Sequence, residues 1–548
     1  MKYTEILPKG VSAEDFAQAV ELWKEKIGSG DVLLDSDIIQ TYSKCTLPIE
    51  RSVAAVLKPG SVEDVQSIVE IAGTFKIPLY TISKGRNWGY GSACPVQDNN
   101  VIVDLGRMNR ILDVNTELAY AVVEPGVTQG QLYQYLKDNR IPLWIDATGA
   151  PPDASLIGNT LERGFGHSRY GNHFESACGM EVVLADGRIL RTGFGHYEQA
   201  RAASLFKGGL GPYLDGIFTQ SNYGIVTKMG MWLMPKPPDF LAFFFQIDSE
   251  KKLKPLIEAL RPLRMSGIVQ SCVHIGNDMR VLSHIQQYPW ELAGYQTPLP
   301  EWLRNDLRKK WGLYPWSGSG ALYGTREQIA ASRKAIKNAL RGIARVFFVS
   351  DRTIRLAERI KGLYKIVTGV DLTPMLSLLK PVYGLMKGIP TEMPIAGTYW
   401  RVKKPIPKEG MNPDRDRCGL MWCSPVIPMT GDAAGDLLHI AKPIFDKYGF
   451  DMIISMTLIT ERAIDCVMAI SYDKSDPEDT PKASECYEQL LQTFMRVGYI
   501  PYRIGIQSMG HIMQKGDVFW DVVQDIKKAL DPDGILSPGR YGWHKATE

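Results

Sequence analysis

The chain is short of several things, and each shortage removes a class of function. Eight cysteines are scattered through 548 residues with no Cys-x-x-Cys pair. That is too sparse for a disulfide framework and lacks the spacing of a zinc ribbon or a covalently attached c-type haem. Any haem partner is therefore expected on another chain. No stretch approaches 18 uninterrupted apolar residues, so no transmembrane segment is expected. Met1 to Gly10 has no apolar run behind a charged head, and Lys545-Ala546-Thr547-Glu548 matches no address signal. The expected compartment is the cytoplasm. A formal charge of +3 gives no concentrated basic face, which excludes nucleic acid as a partner. The histidines show no metal-ligand spacing, so no metal is expected and most are expected to be structural or surface groups. Internal repeats and low-complexity segments are missing too.

What is present is an ordinary globular composition, 45% apolar and 22% charged, in a chain too long for one core. Two or three cooperating units follow. Val53 to Leu57 is β-branched and reads as a strand. Pro59-Gly60 breaks it, Ser61 and Asp64 form an N-cap pair, and Val62, Val65, Ile68, Val69 and Ala72 recur at helical spacing. Strands at Pro78–Ile82 and Val101–Leu105 follow, with Lys84-Gly85-Arg86-Asn87-Trp88-Gly89-Tyr90-Gly91-Ser92 between them. A second glycine-rich region, Leu156 to Gly171, leads into strands near Met180–Leu184 and Ile189–Thr192. Pro235, Pro237 and Pro238 mark a boundary, giving expected units of 1–236, 237–500 and 501–548. Within the second, 351–388 is basic and apolar-rich and reads as amphipathic helices packed on that unit. Methionines in 393–429 are expected to line a cavity or core. Near the end, Phe519, Val522, Val523, Ile526 and Leu530 share one helical face, stopped by Asp531-Pro532-Asp533-Gly534.

Three glycines in the seven residues 85–91 let the backbone approach a ligand and offer several N–H donors, as a pyrophosphate needs. The spacing Gly-x-x-x-Gly-x-Gly is neither a Walker motif nor the Rossmann fingerprint. An ordinary turn has the same spacing.

Longer segments are more specific. Gly85 to Gly91, Val123-Glu124-Pro125-Gly126-Val127 and Gly158-Asn159-Thr160-Leu161-Glu162-Arg163-Gly164 resemble the FAD domain of the vanillyl-alcohol oxidase and p-cresol methylhydroxylase family. Tyr170-Gly171-Asn172-His173-Phe174, Cys178 to Ala185, Asp215 to Gly224 and the tail from Leu530 to Gly542 continue the resemblance in register. It implies an α+β fold: a two-subdomain FAD-binding domain, a substrate-binding cap with an antiparallel sheet, and a C-terminal tail that returns to the FAD domain. The implied FAD-binding residues are Gly85, Arg86, Asn87, Gly89, Gly91, Ser92, Gly126, Gly158, Asn159, Tyr170, Gly171, His173, Gly224, Ile225 and Arg540. Arg540 matches the family arginine near the flavin N1–C2 edge, where a fixed cation favours the reduced ring.

At the substrate pole, Tyr90, Tyr502 and Arg503 match the residues that hold a phenol's oxygen as phenolate in the phenol-oxidising branch. Glu162 occupies the place of the family aspartate beside flavin N5; its alternative is a carboxylate paired with Arg163 or another nearby arginine. The resemblance also fails in places. Leu420 stands where vanillyl-alcohol oxidase has its covalent-flavin histidine, and Thr398 falls where the cresol enzyme has its covalent tyrosine, with Tyr399 one residue on. Non-covalent FAD is therefore expected, with Tyr399 the one covalent candidate. Ser455 and Ile464 replace an active-site glutamate and histidine, and 402–417 is an insertion with no counterpart.

The expected function is FAD-dependent oxidation of a small para-substituted phenol at its benzylic carbon, through a quinone methide. The acceptor of the electrons is oxygen or a separate cytochrome or carrier chain, and a homodimer is expected. Two alternatives stand beside this: a same-fold enzyme acting on another alcohol, amine or 2-hydroxy acid, and a non-catalytic FAD-fold subunit.

Overall fold

A computed structural model describes residues 6–368, 373–513 and 516–542. Strands β1 (Val32–Leu33), β2 (Val53–Leu57), β3 (Leu79–Ile82) and β4 (Asn100–Asp104) form one sheet in the order β1-β2-β4-β3. β2, β4 and β3 run parallel, which requires a crossover. The helix Val62–Phe75 supplies it, capped by the Ser61 hydroxyl accepting from Asp64 N–H and burying Val65, Ile68, Val69 and Ala72. The glycine-rich loop leaves the end of β3.

The next strands are β5 (Ile111–Asn115), β6 (Tyr120–Val123), β7 (Leu143–Trp144), β8 (Ala177–Val183), β9 (Ile189–Arg191), β10 (Ile225–Trp232) and β11 (Met234–Pro235). They make an antiparallel sheet β5-β6-β10-β8-β9, with β7 and β11 paired separately. Strand positions anticipated from β-branched runs fall within a few residues of these bounds.

After the prolines at 235–238 a different sheet begins. β12 (Asp239–Ile247), β13 (Val273–Asn277), β14 (Trp316–Gly324), β15 (Arg345–Val349), β16 (Cys418–Cys423), β17 (Val426–Pro428), β18 (Ile453–Leu458) and β19 (Ala463–Asp473) form an eight-stranded antiparallel sheet. Its main path runs β15-β12-β14-β13-β18-β19-β16. Side chains alternate across it. Phe243, Phe245, Val273, Ile275, Ile454, Met456, Ile464, Cys466 and Met468 point to one face, packed against helices Leu253–Met265, Arg326–Ala339, Gly431–Tyr448 and Asp479–Arg496. The opposite face carries the residues one step out of phase, and it faces the first two sheets.

The helices Asp351–Thr368 and Thr373–Leu385 lie beside this cap; residues 369–372 between them are outside the described residues. Tyr383 and Met386 are buried with Phe240 and Tyr323, whereas Leu356 and Met375 are exposed.

The tail closes the molecule. Leu79 N–H donates to Ile535 O at 2.8 Å and Ser537 N–H to Leu79 O at 2.7 Å, so the C-terminal segment edges onto β3. The single apolar face expected for helix Val518–Leu530 is divided. Val523, Ile526 and Leu530 pack on the core, while Phe519 and Val522 are exposed. Lys527 shares the buried side of the helix, and its ammonium donates to Asn222 O (2.6 Å), Leu536 O (2.9 Å) and Asp531 Oδ2 (2.5 Å). A buried cation has to be satisfied in this way.

Candidate active site

The loop 84–92 is held by bonds from outside itself. Gly89 N–H donates to Thr46 Oγ1 at 2.8 Å, and Ile506 N–H to Tyr90 O at 3.0 Å. Trp88 Nε1 and the Ser92 hydroxyl donate to the two Asp414 oxygens at 2.8 and 2.7 Å. Burial pushes the Asp414 carboxyl up to about 6, against these donors. The insertion 402–417 thus works as a brace: one end fixes the glycine-rich loop, and Asp416 accepts from the Tyr399 hydroxyl at 2.6 Å.

Tyr90 points inward from this loop. Its hydroxyl lies 2.9 Å from the Ser424 hydroxyl and adjoins that of Tyr502. The Arg503 guanidinium sits over the Tyr90 ring, 4.3 Å from its centroid. Burial raises both tyrosine hydroxyls above the ordinary phenol range, with Arg503 opposing it in each, so both remain protonated donors at neutral pH. Arg503 donates through Nε to Glu162 at 3.1 Å and through Nη2 to Asn87 Oδ1. Its Nη1 makes no hydrogen bond among the described residues.

Glu162 ends the short helix Leu156–Leu161 and is held between two guanidiniums, those of Arg503 and Arg540. Arg163 instead bonds Thr219. The tail residue Arg540 also donates to the Tyr80 hydroxyl at 2.6 Å. One carboxylate bonded to two guanidiniums fixes the position of both.

These groups line one cavity of about 880 Å³, near the upper end of the roughly 300–1,000 Å³ usual for ligand pockets. Tyr90, Tyr502, Arg503 and Glu162 are on its wall, with Gly85, Arg86, Asn87, Ser92, Gly158, Asn159, Gly224, Ile225 and Arg540. The remaining expected cofactor residues stand a layer behind. A Cβ on Gly89 would collide with the Trp422 ring, on Gly91 with Ile506, on Gly126 with the backbone at 106–108, and on Gly171 with Cys272. Tyr170 packs against the apolar cluster that contains Tyr323 and Tyr383. His173 bridges Asn159 Oδ1 (2.7 Å) and Asp146 Oδ2 (2.6 Å), tying a wall residue to the interior. Tyr399 is fully buried with its hydroxyl on Asp416, whereas its neighbour Thr398 lines the cavity.

The cap contributes a wall that sequence reading missed. Register aligns Phe347, Phe244, Ser319, His274, Thr457 and Asp465 in one row across the sheet, and Gln246, Ser317, Gly276, Ser455 and Val467 in the next. All but Asp465 line the cavity. His167, His274 and His284 also line it, contrary to the expectation that such histidines are structural or at the surface. His167 and His274 stack at 4.1 Å between centroids. Burial lowers all three imidazoles, His284 to about 3, so they are neutral hydrogen-bonding groups at neutral pH. The Asp465 carboxyl is buried with no hydrogen-bond partner among the described residues, and burial raises it to about 7.

Comparison with known proteins gives the family of the chain. Residues 53–193 match a family model described as an FAD binding domain, and 432–541 one described as the C-terminal domain of FAD linked oxidases. The chain is 39% identical over 533 residues to 1'-carboxy-chondrochloren decarboxylase of Chondromyces crocatus, covering 97% of this chain and 98% of that one. It is 35% identical over 543 residues to the 4-cresol dehydrogenase [hydroxylating] flavoprotein subunit of Pseudomonas putida, covering 98% and 97%. A crystal structure of p-cresol methylhydroxylase with substrate bound superposes with a TM-score of 0.89 at 35% identity, over 99% of this chain and all of that one. The chain belongs to the p-cresol methylhydroxylase family.

As a member of that family it is an FAD-linked oxidoreductase, and the cavity fits the cofactor. Gly85 and Gly158 present bare backbone, Lys84 and Arg86 supply cations for a diphosphate, and Asn222 Oδ1 is buried on the wall without a partner. Among the described residues no helix is long and apolar enough to cross a membrane, and no cluster of His, Cys, Asp or Glu is arranged to hold a metal.

Proposed function

We propose that this enzyme oxidises a para-substituted phenol at its benzylic carbon. The observation that carries the reading is the convergence of Tyr90, Tyr502 and Arg503 on one part of the cavity wall, with Arg503 Nη1 unused. Moving a phenol from a pKa of about 10 to about 7 takes roughly 4 kcal/mol. Hydrogen bonds to a charged oxygen contribute about 1.5–3 kcal/mol each, so two neutral tyrosines and one guanidinium suffice. FAD bound non-covalently supplies the acceptor for the benzylic hydride. The phenolate oxygen feeds electron density through the ring, so the substrate leaves that step as a quinone methide, which either takes up water or loses a proton. Glu162 holds Arg503 in place while keeping Arg540 on the opposite side of the same carboxylate. Electrons then pass to oxygen or to a separate carrier chain.

The test is anaerobic stopped-flow reduction of the holoenzyme by 4-ethylphenol, its methyl ether, and D-lactate or glycolate. Fast bleaching by the phenol alone supports the reading. Reduction by the 2-hydroxy acids, or by phenol and ether alike, contradicts it.

A further inference from the structure

The phenol anchor does not use all of the cavity's polar groups. Lys84, Arg86, Arg280, Arg503 and Arg540 line it against one acid among the described residues, Glu162. Arg86 pairs with Asp153 at 2.7 Å, and Arg503 and Arg540 share Glu162. Lys84 and Arg86 lie on the glycine-rich loop, where a dinucleotide's phosphates account for them. Arg280 is different, because it comes from the cap, on helix Asp278–Ile285. Its guanidinium makes no ion pair or side-chain hydrogen bond among the described residues and rests over the Trp422 ring, 5.3 Å from the centroid. Burial pushes it down to about 10, so it is still a cation at neutral pH. Its neighbours His274 and His284 are neutral there and offer no counter-charge.

The side chain of Arg280 crosses Gly276, whose missing Cβ would lie 3.4 Å from Arg280 Cγ. Gly276 is flanked in register by Ser317 and Ser455. Both serines line the cavity, and neither hydroxyl has a hydrogen-bond partner among the described residues. An unpaired cation whose stem crosses between two serines with unused hydroxyls offers a donor set for an oxyanion. The Trp422 ring under the Arg280 guanidinium also packs against Gly89, the residue before Tyr90. A ligand reaching both ends therefore carries its ring at Tyr90 and its negative group beyond Trp422.

We propose that Arg280, with Ser317 and Ser455, forms a carboxylate subsite, so that the substrate is a phenol bearing an acid on its para side chain. This rests on the phenol reading above. The experiment compares 3-(4-hydroxyphenyl)propanoate with 4-propylphenol, taking Kd from the concentration dependence of anaerobic flavin reduction in wild type, Arg280→Met and Arg280→Lys. The expected result is a preference of about 10- to 100-fold for the acid in wild type. It is lost in Arg280→Met, with flavin content and the Kd of 4-propylphenol unchanged, and partly restored by Arg280→Lys. Equal affinities in wild type, equal weakening of both ligands in Arg280→Met, or loss of flavin from that variant would overturn the subsite. If instead 4-propylphenol and its methyl ether bind alike, the phenol reading itself fails, a result separable from failure at Arg280.

Discussion

At the scale of single residues, the site divides by how each group was found. Tyr90 lies far in sequence from the adjacent pair Tyr502 and Arg503, and only their match to a family motif brought them together before the fold did. Their packing, with Arg503 over the Tyr90 ring, is what the phenol chemistry needs. Arg280, His274, His284 and Asp465 carry no motif. His274 and Asp465 are polar within apolar strands and Arg280 and His284 lie on a mixed helix, and which face each occupies is decided only by the fold. Asp465 gives a test of that placement. Its carboxyl, raised to about 7 by burial, keeps its proton in the native state after the unfolded chain has released it. Stability therefore falls as pH rises from about 4 to 7, then levels. Asp465→Asn lacks this loss, so its stability relative to wild type should improve by roughly 2 kcal/mol between pH 5 and 8. Urea unfolding of both proteins at the two pH values measures it, and a constant difference would show that Asp465 ionises normally.

At the scale of elements, the parallel β2-β4-β3 unit and its capped crossover helix were legible, because β-branched runs, a Pro-Gly break and a Ser-Asp cap agree on one answer. The glycine-rich loop was legible as a loop, but not which glycines face the ligand. Gly89 and Gly91 are required by Trp422 and Ile506, residues more than 300 positions away. The insertion 402–417 was opaque for the same reason: its purpose is the pair of bonds Asp414 accepts from Ser92 and Trp88. Removing that carboxylate in Asp414→Ala should loosen the loop more than the core. FAD affinity, measured by fluorescence titration of the flavin-free protein, is expected to fall about 10- to 100-fold, as two lost bonds of about 1 kcal/mol or more imply. The melting temperature of the flavin-free protein should change little. A variant that binds FAD normally would remove the brace from this account.

For the whole molecule, two sheets built before Pro235 and an eight-stranded cap sheet enclose one cavity, and the tail seals it by pairing with Leu79 and placing Arg540 on the wall. The fold class was readable from motifs spread over the chain, while the cavity was not, since it exists only where surfaces from three stretches meet. The arrangement bears on how FAD is kept. Leu420 lines the cavity without a nucleophile, and the Tyr399 hydroxyl is committed to Asp416. Acid precipitation should thus release the flavin into the supernatant, leaving a colourless pellet. Yellow protein after denaturation would mean a covalent bond.

In the proposed reaction the cavity makes a bound phenol acidic, and fluorine NMR reads this directly. 4-Fluorophenol has no benzylic hydrogen to lose, and its chemical shift separates phenol from phenolate. Titrated on the holoenzyme, the bound ligand should ionise near pH 7, about three pH units below its value in water, and Arg503→Met should move the transition back by at least one unit. A bound ligand that stays neutral to pH 9 in the wild-type enzyme would contradict the account.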